Sequence, residues 1–323
     1  MKPQKGRILV IKLGALGDFV LATGPFAAIR AAHPEENIVL LTTAPFAELA
    51  RASGYFDEVW VDDRPSRLNL VGIQRLRRRL RRGKFYRVYD LQTSGRSSWY
   101  FRLMRGFLRP QWSGIAFGCS HPHANRGRNR MHTIERQADQ LAMAGIADTP
   151  LPDLSWAVAD ISRFGLNDRF ALLIPGGAAH RPGKRWPAGR YRELAGELTK
   201  IGVLPVIVGG PDEIELAAEI ADGTGAKALA GETSFADIAA LSRAAAGAIG
   251  NDTGPMHIAA ISGCPCAVLE RIRSRHNRTP RRRRSGAPPG ETGGFAGIGG
   301  CRGVKFALNA RLYGQRVDAI KIS

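Results

Sequence analysis

From residue 7 onward, short apolar runs alternate with amphipathic or alanine-rich stretches. Runs at Ile8 to Lys12, Ile38 to Thr42, Glu58 to Val61, Arg87 to Leu91 and about Trp112 to Ala116 have the length of strands, and helical stretches separate them. Repeated strand–helix units predict a parallel sheet covered on both faces. The pattern pauses at TPLPDLSWAVAD and restarts with Phe170 to Ile174, Val203 to Val208, Ala226 to Leu229, Gly247 to Gly250 and Cys266 to Leu269. The expectation is an α/β protein with two Rossmann-like domains, residues 1–155 and 156–269, joined near residues 148 to 165.

Length and composition agree with this division: 323 residues, 44% of them apolar, are enough for two packed cores. They exclude a small disulfide scaffold and a disordered chain. Cys119, Cys264, Cys266 and Cys301 lack paired CxxC spacing, so neither a zinc site nor a disulfide framework is indicated, and a reducing cytoplasm is the default compartment. Lys12 and Asp18 interrupt the core that a secretory leader would need. Charge-free stretches such as Phe19 to Ile29 and Thr253 to Leu269 are too short, or too rich in Gly and Pro, for a membrane span of ~20 residues.

Charge changes the picture more. The formal net charge is +19, and two regions carry it. Residues 64 to 109 hold 14 Lys and Arg against one acid, Asp90, and residues 270 to 323 hold 13 against three. In the first region, Leu68, Leu70, Val71, Ile73, Leu76 and Leu80 suit one face of a helix with arginines opposite. The second region, with RTPRRRRSGAPPG and GGFAGIGG, has no sustained period, and residues 270–323 read as an atypical basic tail, out-of-frame or disordered. A polyanionic or acidic-surface partner follows from such charge, but its identity does not.

Ligands of doubly wound sheets bind at the carboxyl ends of the strands, so the loops there carry the chemistry. The first, Leu13-Gly14-Ala15-Leu16-Gly17-Asp18, lacks the GxGxxG of a dinucleotide site, and the second strand ends in Thr42 and Thr43 rather than an acid. That disfavours an NAD dehydrogenase. Asp18 reads either as a helix cap or as a carboxylate able to take a proton from a hydroxyl. The second loop, IPGGAAHRPGKRWP, joins glycine amides to Lys184 and Arg185 as a diphosphate cradle, or forms a solvated basic loop over Trp186. It is not a Walker loop, because Arg185 stands where a hydroxyl is required. In VGGPDE, Glu213 either matches a helix dipole or bonds a ribose hydroxyl. In IGNDTGPMH, Asp252, Thr253, Gly254 and His257 surround a helix start of the kind that attracts phosphate.

Together, KLGALGDFVLATGPFAAIR, YDLQTSGRSS, PGGAAHRPGKRWP, VGGPDE and GETSFADIAALSRAAAGAIGNDTGPMHIAAISG resemble the bacterial heptosyltransferases, glycosyltransferase family 9, over most of residues 7 to 269. The resemblance implies a GT-B fold, two Rossmann-like domains facing across a cleft. It also implies inverting transfer of a heptose from a nucleotide-sugar donor, typically ADP-heptose, to a lipopolysaccharide inner-core acceptor, with no metal and no cofactor. Carried onto this chain, Asp18 is the base for the acceptor hydroxyl and Lys184 neutralises the departing diphosphate. Gly176, Gly177, Glu213, Asp252, Thr253, Gly254 and His257 hold the donor. Gly17 and Arg96, with Arg75, Arg78 and Arg79 of the arginine stretch, face an anionic, lipid-linked saccharide acceptor at the cytoplasmic face of the inner membrane, where contact is peripheral. No signature of sequence-specific nucleic-acid binding is present. The chain departs from the family after Leu269, so the competing expectation is a noncatalytic polyanion-binding relative, inactive through its altered C-terminus.

Overall fold

A computed structural model of the chain describes residues 6–66, 68–104, 106, 110–166, 168–177 and 185–269. Two parallel sheets organise it. The first is built from β1 (Arg7–Ile11), β2 (Asn37–Thr42), β3 (Glu58–Val61), β4 (Arg87–Asp90), β5 (Gln111–Gly114) and the two-residue β6 (His121–Pro122). Its helices are α1 (Leu16–Leu21), α2 (Thr23–Ala32), α3 (Ala44–Ala52), α4 (Leu70–Arg82), α5 (Gly95–Met104) and α6 (Thr133–Met143). The second sheet contains β7 (Phe170–Ile174), β8 (Leu204–Ile207), β9 (Lys227–Ala228), β10 (Ala248–Asn251) and β11 (Cys266–Leu269). Around it lie α7 (Ala188–Lys200), α8 (Ile214–Ala221), α9 (Phe235–Ala244) and α10 (Gly254–Ile261).

The strand periodicity accounts for the layers. Successive side chains of β1 point to opposite faces, so Ile8 and Val10 enter one core with Phe19, Ile38 and Leu40, while Leu9 and Ile11 enter another with Val39, Leu41 and Trp112. β7 divides likewise, with Leu172 and Ile174 on one side and Ala171 and Leu173 on the other. Both faces are covered, which is why these strands are apolar throughout rather than alternating.

The strand orders are β3-β2-β1-β4-β5-β6 and, taken in the same sense, β9-β8-β7-β10-β11. The first five strands of each sheet therefore follow one plan, which reverses direction between β1 and β4 in one and between β7 and β10 in the other. Ligand crevices open outside the strand ends at such reversals. The two halves meet directly: Ile238, Ala239 and Ile258 join the core of Ile8 and Phe19, and Phe46 stacks on Phe235 at 6.2 Å.

Some expectations need correction. The alanine-rich stretch FVLATGPFAAIRAA, whose composition suits a single helix, belongs to two, parted at Ala22. Of the apolar stripe assigned to α4, only Leu76 and Leu80 are buried, whereas Leu68, Leu70 and Val71 are exposed at 93%, 68% and 68%. The helix begins at Leu70, so Leu68 precedes it, and at 100° per residue Val71 points away from the side that carries Leu76 and Leu80. The expectations for residues 270–323 lie outside the described residues. Among the described residues, no helix is long and apolar enough to cross a membrane.

Candidate active site between the two sheets

The site is built on a crossing of α1 and α10. A Cβ at Gly17 would fall 2.6 Å from Cδ2 of His257, and one at Gly254 would fall 2.6 Å from Cβ of Leu16. Only glycine at both positions lets the helices approach this closely. The contact carries Asp18 to the second half. Asp18 is not a cap: Ala15 occupies that position with no side-chain bond, and Asp18 lies in the first turn of α1, half-buried. Across the crossing, burial holds the His257 imidazole below its ordinary pKa; Asp252 and Asp18 pull it upward and His132 pushes it down. His257 Nε2 is 3.8 Å from Asp252 Oδ1. One carboxylate from the first half and one from the second thus act on the same imidazole.

A buried lysine faces Asp18, and a buried aspartate faces that lysine in turn. Lys12, 3% exposed, follows β1 and donates from Nζ to the Leu91 carbonyl at 3.2 Å. Burial pulls its ammonium down to about 8, against the upward pull of Asp18 and Asp90. The parallel register sets Ile11 opposite Asp90, so the buried lysine and the buried aspartate end adjacent strands. Asp90 Oδ1 accepts from the amides of Gln92 and Thr93, and its burial still raises the carboxyl to about 6. Arg136 of α6 also acts on Lys12, and with Arg128 it adds positive charge to this side.

In the second half the loops are held by amide donors, one guanidinium and a single carboxylate. Glu213 Oε1 accepts from the Gly177 amide at 3.0 Å and Oε2 from the Gly210 amide at 2.9 Å. A Cβ on Gly176 would lie 1.9 Å from Glu213 Oε1, so this glycine makes room for the carboxylate. The buried Asn251 at the end of β10 donates from Nδ2 to the carbonyls of Pro175 (2.7 Å) and Gly176 (3.1 Å), while its Oδ1 accepts from the Trp186 amide at 3.0 Å. It therefore ties together both flanks of the loop that contains Lys184. Lys184 itself lies outside the described residues. Arg185 donates from Nη2 to the Gly177 carbonyl. Thr253 caps α10 without a side-chain bond, and its buried Oγ1 has no partner among the described residues. The amides at the start of α10, a guanidinium and an unsatisfied hydroxyl suit an anionic oxygen-rich ligand such as a diphosphate.

The arginines expected near an acceptor separate into two places. Arg96 of α5 donates from Nη1 to the Pro65 carbonyl and to Tyr100 Oη, and Tyr100 donates to the buried Asp62. Arg64, from the same loop, donates to the Leu13 carbonyl at 3.3 Å. Both lie at the carboxyl edge of the first sheet. Arg75, Arg78 and Arg79 lie instead along the outer face of α4, which runs back toward Arg7 at the start of β1. Lys12, Asn251, Arg64, Arg128 and Arg136 were not singled out from sequence as part of the site. The available signal for Asn251 was its place between a strand and the helix that starts at Gly254.

The sequence profile of glycosyltransferase family 9 (heptosyltransferase) matches residues 73–268. Lipopolysaccharide heptosyltransferase 2 of Escherichia coli (strain K12) is 26% identical over 301 residues, covering 81% of this chain and 82% of that protein. A family 9 glycosyltransferase from Veillonella parvula superposes with a TM-score of 0.70 at 24% identity, covering 83% of this chain and 81% of its own. E. coli heptosyltransferase WaaC, solved with ADP-2-deoxy-2-fluoro heptose, gives a TM-score of 0.63 at 20% identity, with 81% and 88% covered. These neighbours share the arrangement of two parallel sheets with covering helices, the GT-B fold.

Proposed function

The chain belongs to glycosyltransferase family 9, the heptosyltransferases, and from that premise we propose that it transfers a heptose from ADP-heptose to an anionic lipopolysaccharide inner-core acceptor, with inversion and without a metal. The observation that carries this reading is the glycine-lined crossing of α1 and α10, which brings Asp18 of one half to Asp252 and His257 of the other. The donor lies along the second half. Its diphosphate rests against Arg185, the Gly177 region and the start of α10, where Thr253 and Gly254 present a hydroxyl and an amide. Gly176 makes room for Glu213, which sets the loop and faces the nucleoside, and Asp252 and His257 face the sugar. Lys184 joins the phosphate side by resemblance to the family.

In the transfer step, the Asp18 carboxylate takes the proton of an acceptor hydroxyl and the freed oxygen attacks the anomeric carbon. The bond from that carbon to the diphosphate oxygen breaks, and its electron pair leaves with the diphosphate. Positive charge and oriented amides around the leaving group lower this barrier. Attack from the face opposite the leaving group inverts the anomeric centre, which fits a base on one half and a leaving-group site on the other. Lys12, buried behind the acceptor side, is acted on by both Asp18 and Arg136, which places positive charge on this side of the cleft. Gly17 closes against His257, and Arg96 holds the loop bearing Arg64 at the acceptor side.

Isothermal calorimetry on the full chain with ADP-heptose, GDP-sugars and UDP-sugars tests the reading. Tight binding of ADP-heptose, at least tenfold over the others, is expected. A folded sample that binds none of them would favour the noncatalytic polyanion-binding relative.

A further inference from the structure

The outer face of α4 is not used by the reaction above. Val71, Arg75, Arg78 and Arg82 recur at i, i+4, i+7 and i+11, which at 100° per residue places them in one outward arc about 60° wide. Arg79 flanks this stripe, with its guanidinium 4.5 Å from the ring centre of Trp60 and Nη1 on the Val61 carbonyl at 3.0 Å. With Arg7, these arginines and Trp60 line an open cavity of about 450 Å³. Arg7 is paired with Glu58 at 2.5 Å, but among the described residues no carboxylate pairs with Arg75, Arg78, Arg79 or Arg82. So many unneutralised guanidinium groups side by side repel one another, and the arrangement gains most from a surface with repeated negative charges.

A second observation lies at the other end of the same helix. The Asn69 side chain caps α4 by accepting from the Gly72 amide at 2.8 Å, and around this cap Leu68, Leu70 and Val71 stand in solvent. Three large apolar side chains within four residues have no partner on a phosphodiester strand, but they fit the boundary between head groups and acyl chains of a bilayer. The preceding loop is fastened to the cleft edge through Arg64 on Leu13 and Arg96 on Pro65.

We propose that α4 is a docking surface for an anionic lipid bilayer. Its arginines meet phosphate head groups, and Leu68, Leu70 and Val71 enter the interfacial layer beside the mouth of the cleft. Adsorption stands on the arginines and the apolar tip alone, whereas the benefit of that orientation, bringing a lipid-linked acceptor to Asp18, rests on the proposed reaction. On this view Arg75, Arg78 and Arg79 contact the bilayer that carries the acceptor rather than the transferred-to saccharide.

The test is co-sedimentation of the full chain with vesicles of phosphatidylcholine alone or with roughly 30% phosphatidylglycerol, at low and high salt. Binding should require phosphatidylglycerol and weaken with salt. Replacing Arg75, Arg78 and Arg82 together by Gln should weaken it about 100-fold, at roughly a tenfold factor or less per charge. Leu68→Ser with Val71→Ser should reduce the fraction that stays bound at high salt. Because the segment 270–323 is itself basic, the α4 variants decide the matter: unchanged vesicle binding in the arginine variant, with its melting temperature preserved, would overturn the proposal. So would a DNA duplex that binds through the same arginines while vesicles do not bind at all. Donor calorimetry on the same samples separates the two readings, since vesicle binding without donor binding leaves the docking surface standing and the reaction refuted.

Discussion

The two crevices at the centre of the molecule share a strand plan and differ in chemistry. Where the first sheet reverses order, between β1 and β4, the strand ends carry buried ions, Lys12 and Asp90, with Asp18 close by. The corresponding reversal between β7 and β10 carries Asn251, a neutral side chain that spends its hydrogen bonds on backbone groups from two segments. One crevice buries an ammonium and a carboxyl group at adjacent strand ends, and the other fixes the shape of a loop. Duplicated topology therefore supplies two equivalent strand-end crevices, and the residues at the strand ends give each its own chemistry.

The contrast is broken most directly at Asp18. Asp18→Asn should lower turnover by roughly 10²- to 10⁴-fold while leaving donor affinity nearly intact, as steady-state kinetics and calorimetry would reveal. Undiminished turnover would leave Asp18 only a favourable acid in the first turn of α1. On the other side, Asn251→Ala removes three hydrogen bonds of a buried side chain and should cost about 2–4 kcal/mol in urea unfolding, with donor affinity falling about tenfold. A variant as stable as the parent would show that the loop flanks hold without it.

The smallest effect expected is in pH dependence. Burial raises the Asp90 carboxyl to about 6, so between about pH 4 and pH 6 the folded chain keeps a proton that the unfolded chain has released, and stability falls as pH rises through that window. Asp90→Asn should flatten that fall by up to about 3 kcal/mol, seen as unfolding midpoints that no longer decline between those values. Lys12 works in the other direction, since its lowered pKa makes stability rise with pH above about 8. A parent protein with no loss of stability from pH 4 to 6 would mean that Asp90 is better solvated than its surroundings indicate.

The strands were legible because parallel strands covered on both faces must be almost wholly apolar, and Phe170–Ile174 and Cys266–Leu269 lie where the runs placed them. Asp252, Thr253, Gly254 and His257 were legible as a group because one short loop and one helix start hold them. Asn251 was not, because its three partners lie 65 to 76 residues away, and its place between a strand and a helix start does not reveal them. Lys12 looked like a mere interruption of an apolar leader, since its burial depends on β4 lying alongside β1. The exposure of Leu68, Leu70 and Val71 was missed for a related reason. Periodicity reports which residues share a side of a helix, but not where the supporting sheet stops.

The close passage of α1 over α10 has a mechanical consequence. If one half turns against the other while this passage stays intact, the turn must pivot about it, and atoms next to a pivot travel least. The gap at the rim could then widen or narrow by several ångströms to admit and release ligands while Asp18 and His257 kept nearly the same separation. The pair would stay in register through every stroke because it sits at the axle.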